Sequence, residues 1–265
     1  MTGSPIPADA LLALLDGRRG SGLRSRSLSL SWHDVRTRSV EMLQGMRAAE
    51  IAPTATVSFP GRLRPERLCA ELGALAGGYR VVAGDTDVIV VDDGWEAGAT
   101  PAGIVVVIDG TSHGPSIGLD RFAARGVAWA ASHAVSPQPV ALGAVAGIRT
   151  GDHVLIRAAC DRAAVRSVLV AAAVAGTDLY VGETGADAVP ELDRTGADVL
   201  ATDADDVERI AAFAAGQRAT AARTLRRMGR GPLGGRLRLV LVDRPPTEAA
   251  CATLGRLGVA VATAG

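Results

Sequence analysis

Valine- and isoleucine-rich runs alternate with helix-length segments along nearly the whole chain. Residues 87–91 and 104–108 carry unbroken β-branched runs, apolar on both faces. A strand with two apolar faces must be covered on both, so these runs predict central strands of a parallel sheet with helices above and below. Further strands are expected at 56–59, 153–157, 178–181, 198–201, 238–242 and 259–262. Helices are expected at 7–15, 32–50, 65–76, 121–134, 162–175, 188–195, 205–215 and 247–257. That order predicts an α/β fold of two layered subdomains, each a mostly parallel sheet flanked by helices. Ser136-Pro-Gln-Pro139 interrupts the pattern, which then restarts, so the expected division is 1–135 and 136–265. Residues 17–27 read as a mobile Gly/Ser/Arg loop, and 217–235 as an exposed, partly helical stretch rich in arginine and glycine. No repeat of solenoid period is visible.

Local signals fix several boundaries. Ser31-x-x-Asp34 approximates a capping box for the helix that follows it. Pro65 opens its helix at the first turn and Gly77-Gly78 closes it. Thr247 caps the last helix and Gly258 stops it. Asp203, Asp205 and Asp206 read as a solvated helix N-terminus, where negative charge is favoured by the helix dipole, and not as a metal site.

Composition excludes several functions. The chain has 265 residues, 48% of them hydrophobic, enough to bury a sizeable core. Formal net charge is zero, with 28 basic and 28 acidic residues, so nothing in the balance draws a phosphate backbone or an anionic membrane. Every Lys/Arg position is arginine, and lysine and asparagine are absent, as a GC-rich coding sequence favours. Chemistry that needs a lysine amine is therefore closed to this chain acting alone. Cys69, Cys160 and Cys251 are far apart, odd in number and outside any C-x-x-C pair, which predicts small buried residues in a reducing, cytoplasmic setting. The apolar stretch at 10–15 is too short for a secretory leader, and the run at 167–176 falls well below the ~20 residues of a membrane span. No His-Glu-x-x-His pattern points to a metal. Ser112 and Ser116 with His113 or His133 make no hydrolase pair, because adjacency in sequence is not geometry.

Three stretches resemble the front portion of adenylate-forming enzymes, the superfamily of acyl-CoA synthetases and peptide-synthetase adenylation domains. Leu30-Ser-Trp-His-Asp34-Val35, the helix through Met46, the strand at Val57 and Ala76-Gly77-Gly78 follow that family's opening. Gly147-Ile-Arg-Thr-Gly151-Asp152-His-Val-Leu-Ile156, then a helix into Ala175-Gly176-Thr177, is similar to its second Gly-Asp strand and the helix after it. Leu237-Arg238-Leu-Val-Leu-Val242 through Gly258-Val259-Ala-Val261 is similar to its third segment. The three occur in the family's order and together span most of the chain.

Between the first two lies Asp109-Gly110-Thr111-Ser112-His113-Gly114-Pro115-Ser116-Ile117, where the family has a phosphate loop of the form Ser-Gly-Thr-Thr-Gly-x-Pro-Lys-Gly. Gly110, Thr111, Ser112 and Pro115 fit it. The resemblance implies that Gly110, Thr111, Ser112 and Gly114 hold ATP or AMP through backbone N–H groups and hydroxyls. Asp109, however, replaces the first serine, His113 a glycine, Ser116 the lysine and Ile117 the last glycine. A carboxylate stands where an anion would sit and the compensating cation is gone, which favours a plain strand-to-helix turn over a nucleotide cradle. The family's aromatic-Gly-Thr-Glu run, ribose-binding aspartate and catalytic lysine have no counterpart in the sequence given. Arg149 and Arg157 are positioned to replace the cation, and structural pairing is the simpler role for both. The expectation is a non-catalytic, pseudoenzyme-like binding or interaction module with no catalytic residue and no metal, taking an acyl group, a nucleotide or a partner protein. The alternative is an acyl-adenylating ligase completed by a separate chain that supplies lysine.

Overall fold

The valine and isoleucine runs form strands, as their two apolar faces require. The structure, a computed structural model, describes residues 6–52, 54–60, 62–82, 86–92, 104–108, 117–118, 141–142, 147–157, 162–183, 187–220, 233 and 236–263. The elements begin with β1 (Ile6–Pro7), α1 (Ala8–Leu14), β2 (Gly22–Arg24), β3 (Ser29–Ser31), α2 (Trp32–Ala48), β4 (Thr56–Ser58) and α3 (Pro65–Ala76). Then come β5 (Arg80–Val81), β6 (Val88–Asp92), β7 (Ile104–Ile108), β8 (Ile117–Gly118) and β9 (Ala141–Leu142). The rest are β10 (His153–Ile156), α4 (Arg162–Ala175), β11 (Asp178–Val181), α5 (Ala188–Thr195), β12 (Val199–Thr202), α6 (Ala204–Thr220), β13 (Leu239–Val242), α7 (Glu248–Gly255) and β14 (Ala260–Thr263). The helix expected at 121–134 lies outside the described residues.

Two compact units emerge, one from Ile6–Gly20 and Leu30–Leu142, the other built on Ser21–Ser29 and Gly143–Gly265. The first carries a five-stranded sheet in the order β5-β4-β6-β7-β8. All its pairs are parallel. The second carries a seven-stranded sheet in the order β14-β13-β12-β10-β11-β2-β3. Its pairs from β14 to β2 are parallel. Numbered within each unit, both sheets contain the doubly wound order 2-1-3-4-5, with the strand order reversing beside the first strand, β4 or β10.

The likeness between the units extends to one hydrogen bond. The first N–H of β4, on Thr56, donates to the Asp87 carboxylate at 2.8 Å, and Asp87 directly precedes β6. The first N–H of β10, on His153, donates to the Asp198 carboxylate at 2.8 Å, and Asp198 directly precedes β12. In each unit an Asp-Val pair starts strand three and clamps the start of strand one. The donated bonds hold the Asp87 carboxyl below the ordinary aspartate value. The same N-terminal edge of the second sheet holds two more such carboxylates. Asp178 accepts from Gly22 N at 3.0 Å and Arg24 Nε at 3.1 Å. Asp152 accepts from Arg149 N at 2.6 Å and pairs with the Arg238 guanidinium. Gly151, at φ +86°, supplies the left-handed turn that brings Asp152 round.

The Asp178 bonds explain a departure from the sequence reading. Residues 22–24, expected in a mobile loop, form β2 and pair with β11, Leu23 opposite Leu179. Leu23 is fully buried there. Elsewhere the local signals hold. Ser31 accepts from Asp34 N at 3.1 Å while Asp34 accepts from Ser31 N at 2.9 Å, a complete capping box. Thr247 caps α7 by accepting from Ala250 N at 3.3 Å.

In the first unit α2 and α3 pack so closely that Gly73 has no room for a side chain. A Cβ there would lie 2.2 Å from the Ser39 carbonyl oxygen, which is backbone and cannot swing aside. Gly73→Ala is therefore expected to destabilise the protein by roughly 1–3 kcal/mol through overpacking. Gly216→Ala, on α6 with nothing within 4 Å of the added carbon, is expected to stabilise it by about 0.5–1 kcal/mol. Urea unfolding midpoints of the two variants check both signs.

Candidate functional site

Ligands of doubly wound sheets bind beyond the carboxyl ends of the strands, where the strand order reverses. In the second unit that place lies between β10 and β12. Arg157 directly follows β10, and its backbone N–H donates to Ala201 O of β12 at 2.9 Å. The side chain, 7% exposed, turns inward between two acids. Its Nε donates to Asp206 Oδ2 and its Nη1 to Glu191 Oε2, both at 2.5 Å. Those carboxyl side chains are 1% and 6% exposed.

Among the described residues β12, α5 and α6 all contribute polar groups to the cluster. Thr202, the last residue of β12, donates its hydroxyl to Asp206 Oδ2 at 2.7 Å. The α5 helix carries Glu191, whose Oε1 accepts from Glu183 N at 2.7 Å at the end of β11. Gly182 permits this approach, because a Cβ there would sit 2.8 Å from Glu191 Oε2. Arg209, one turn along α6, adds a second guanidinium to Asp206 from the solvent side. Burial pushes the Asp206 carboxyl up, but hydrogen bonds from Thr202 and Arg209 and the Arg157 charge outweigh it and hold the group below its ordinary value.

Further carboxylates are paired on the neighbouring segments. Glu183 pairs with Arg26 at 3.4 Å and Asp205 with Arg244 at 2.8 Å. Asp203 Oδ1 accepts from Asp206 N at 2.8 Å, and Glu208 Oε1 accepts from Thr247 N at 2.7 Å. The acidic trio expected at a solvated helix start thus divides: Asp203 caps, Asp205 is exposed, and Asp206 is buried because β10 delivers an arginine to it. Glu191 was missed as well. The sequence signal for both was Arg157 itself, a charge directly following an apolar strand, which must find partners wherever the chain goes next.

The sequence-predicted site residues Gly110, Thr111, Ser112 and Gly114, with Asp109, His113 and Ser116 beside them, lie outside the described residues. They follow β7 in sequence, whose Val106 is fully buried. Gly110, Ser112 and Gly114 also have the G-x-S-x-G spacing of a hydrolase nucleophile elbow. Arg149 is exposed at the opposite end of β10 from Arg157, so the two arginines do not converge. Among the described residues no group of three His, Cys, Asp or Glu side chains is placed to hold a metal ion, and no helix is long and apolar enough to cross a membrane. Cys69 is buried, which pushes its thiol up to about 12 and leaves it unreactive.

No family model matches the sequence, and no curated protein matches it. Solved structures do. The adenylation domain of a carboxylate reductase from Mycobacterium chelonae superposes with a TM-score of 0.73 at 13% identity, over 97% of this chain and 57% of that one. An anthranilate CoA ligase in complex with anthranoyl-AMP gives 0.70 at 11% identity, over 98% and 59%. A Brucella canis acyl-CoA synthetase gives 0.69 at 17% identity, over 97% and 56%. The chain has the fold of adenylate-forming enzymes. It spans a little under three fifths of the length of each of these ligase structures. The adenylate-forming fold places parallel strands as the sequence order required, and among the described residues the strand switch of the second sheet holds the ion cluster of Arg157, Glu191 and Asp206.

Two outcomes follow from that pairing. Arg157→Met is expected to destabilise the protein by about 3–5 kcal/mol, because two buried carboxylates lose the buried cation they share and keep only the more exposed Arg194 and Arg209. Arg157→Met with Glu191→Leu and Asp206→Leu is expected to recover part of that loss, since no buried charge is left, although the Glu183 N–H and the Thr202 hydroxyl lose their acceptors. Urea unfolding of the single and triple variants measures the difference. The pH dependence has a definite sign. A carboxyl whose folded pKa is depressed stabilises the fold above its unfolded value, ordinarily 3.8 for aspartate, and that stability disappears as pH falls through the lower folded value. Unfolding midpoints followed downward from pH 5 should therefore fall more steeply for the parent than for Asp206→Asn.

Proposed function

We propose that this chain is a non-catalytic binding or interaction module on the adenylate-forming fold, with an acyl group or a nucleotide as its ligand class. The observation that carries this reading is the state of Arg157. Adenylation needs a cation held ready for the phosphates of ATP. The arginine at the strand switch of the second sheet is instead buried against two carboxylates. The sequence supports the same reading, since it has no lysine and puts Asp109 and Ser116 where the phosphate loop of ligases has serine and lysine. What remains at 110–114 is a glycine- and hydroxyl-bearing stretch of sequence, with N–H and O–H donors and no matching positive charge. Its free cysteines Cys69 and Cys251 suit a reducing, cytoplasmic setting.

The competing reading is an acyl-adenylate ligase completed by a separate chain. The neighbour solved with anthranoyl-AMP favours it, because that ligase binds an acyl-adenylate on the same fold. It requires a lysine supplied in trans.

Thermal-shift titration with ATP·Mg²⁺, AMP and a non-hydrolysable acyl-adenylate mimic tests the ligand. A ligand at 100 times its Kd adds about 2.7 kcal/mol, which raises Tm by several degrees. The proposal expects a shift with AMP or the acyl-adenylate mimic that Thr111→Ala removes, and little or none with ATP·Mg²⁺. A large shift with ATP·Mg²⁺ would favour the completed ligase. No shift with any of the three would overturn ligand binding and leave only docking to a protein partner.

A further inference from the structure

We draw no further inference here: the strongest candidate, the segment that follows β7 in sequence, where Gly110, Ser112 and Gly114 have the G-x-S-x-G spacing of a serine nucleophile elbow, carries nothing because it lies outside the described residues.

Discussion

A guanidinium cannot be left alone in a protein interior, where even after relaxation an unpaired ion costs several kcal/mol. Much of the second sheet's carboxyl edge is arranged around that demand. Arg157 enters between β10 and β12, so α5 must present Glu191 and α6 must present Asp206 within reach. Gly182 is bare so that Glu191 can approach. Thr202 turns its hydroxyl to the same carboxylate. The cluster ties strands β10, β11 and β12 to both following helices. It does so at the place where a sheet of this winding usually receives a ligand.

At the other end of the strands, carboxylates perform a different task. Asp87 in the first unit and Asp198 in the second each receive the first N–H of strand one. A parallel pair slipped by one residue would turn every side chain to the wrong face, so a fixed bond at the start of strand one specifies register where both faces are buried. The two units also share the interval from that first residue to the following helix, Thr56 to Pro65 and His153 to Arg162. One winding and one clamp are used twice, although the amino-acid sequence of the two halves retains little in common beyond the Asp-Val pair.

The longer strands were legible because β-branched runs have no comfortable alternative, and α3 and α4 were legible because their apolar faces repeat at helical spacing between glycine stops. The two- and three-residue strands β1, β3, β5, β8 and β9 were not expected, and neither was β2. Gly22-Leu23-Arg24 has a single apolar side chain, and its pairing rests on Asp178, far along the chain. Asp206 was read as solvated for the same reason. Its neighbours Asp203 and Asp205 behave as local rules predict, but its own burial depends on an arginine delivered by a distant strand. Local reading saw the chemical departures at Asp109 and Ser116, and it expected structural pairing for Arg157. It had no means of naming Glu191 and Asp206 as the partners.

The functional account rests on that last point. Fold likeness at 11–17% identity speaks for architecture, and chemistry has to be argued from the groups present. An adenylating centre stabilises charge that develops on phosphate, so a cation neutralised by two buried carboxylates contributes nothing to it. ATP–pyrophosphate exchange by the purified chain, across a panel of aromatic and aliphatic carboxylic acids with Mg²⁺, measures adenylation directly. The account predicts exchange indistinguishable from the protein-free blank for every acid. Acid-dependent exchange above that blank would contradict it.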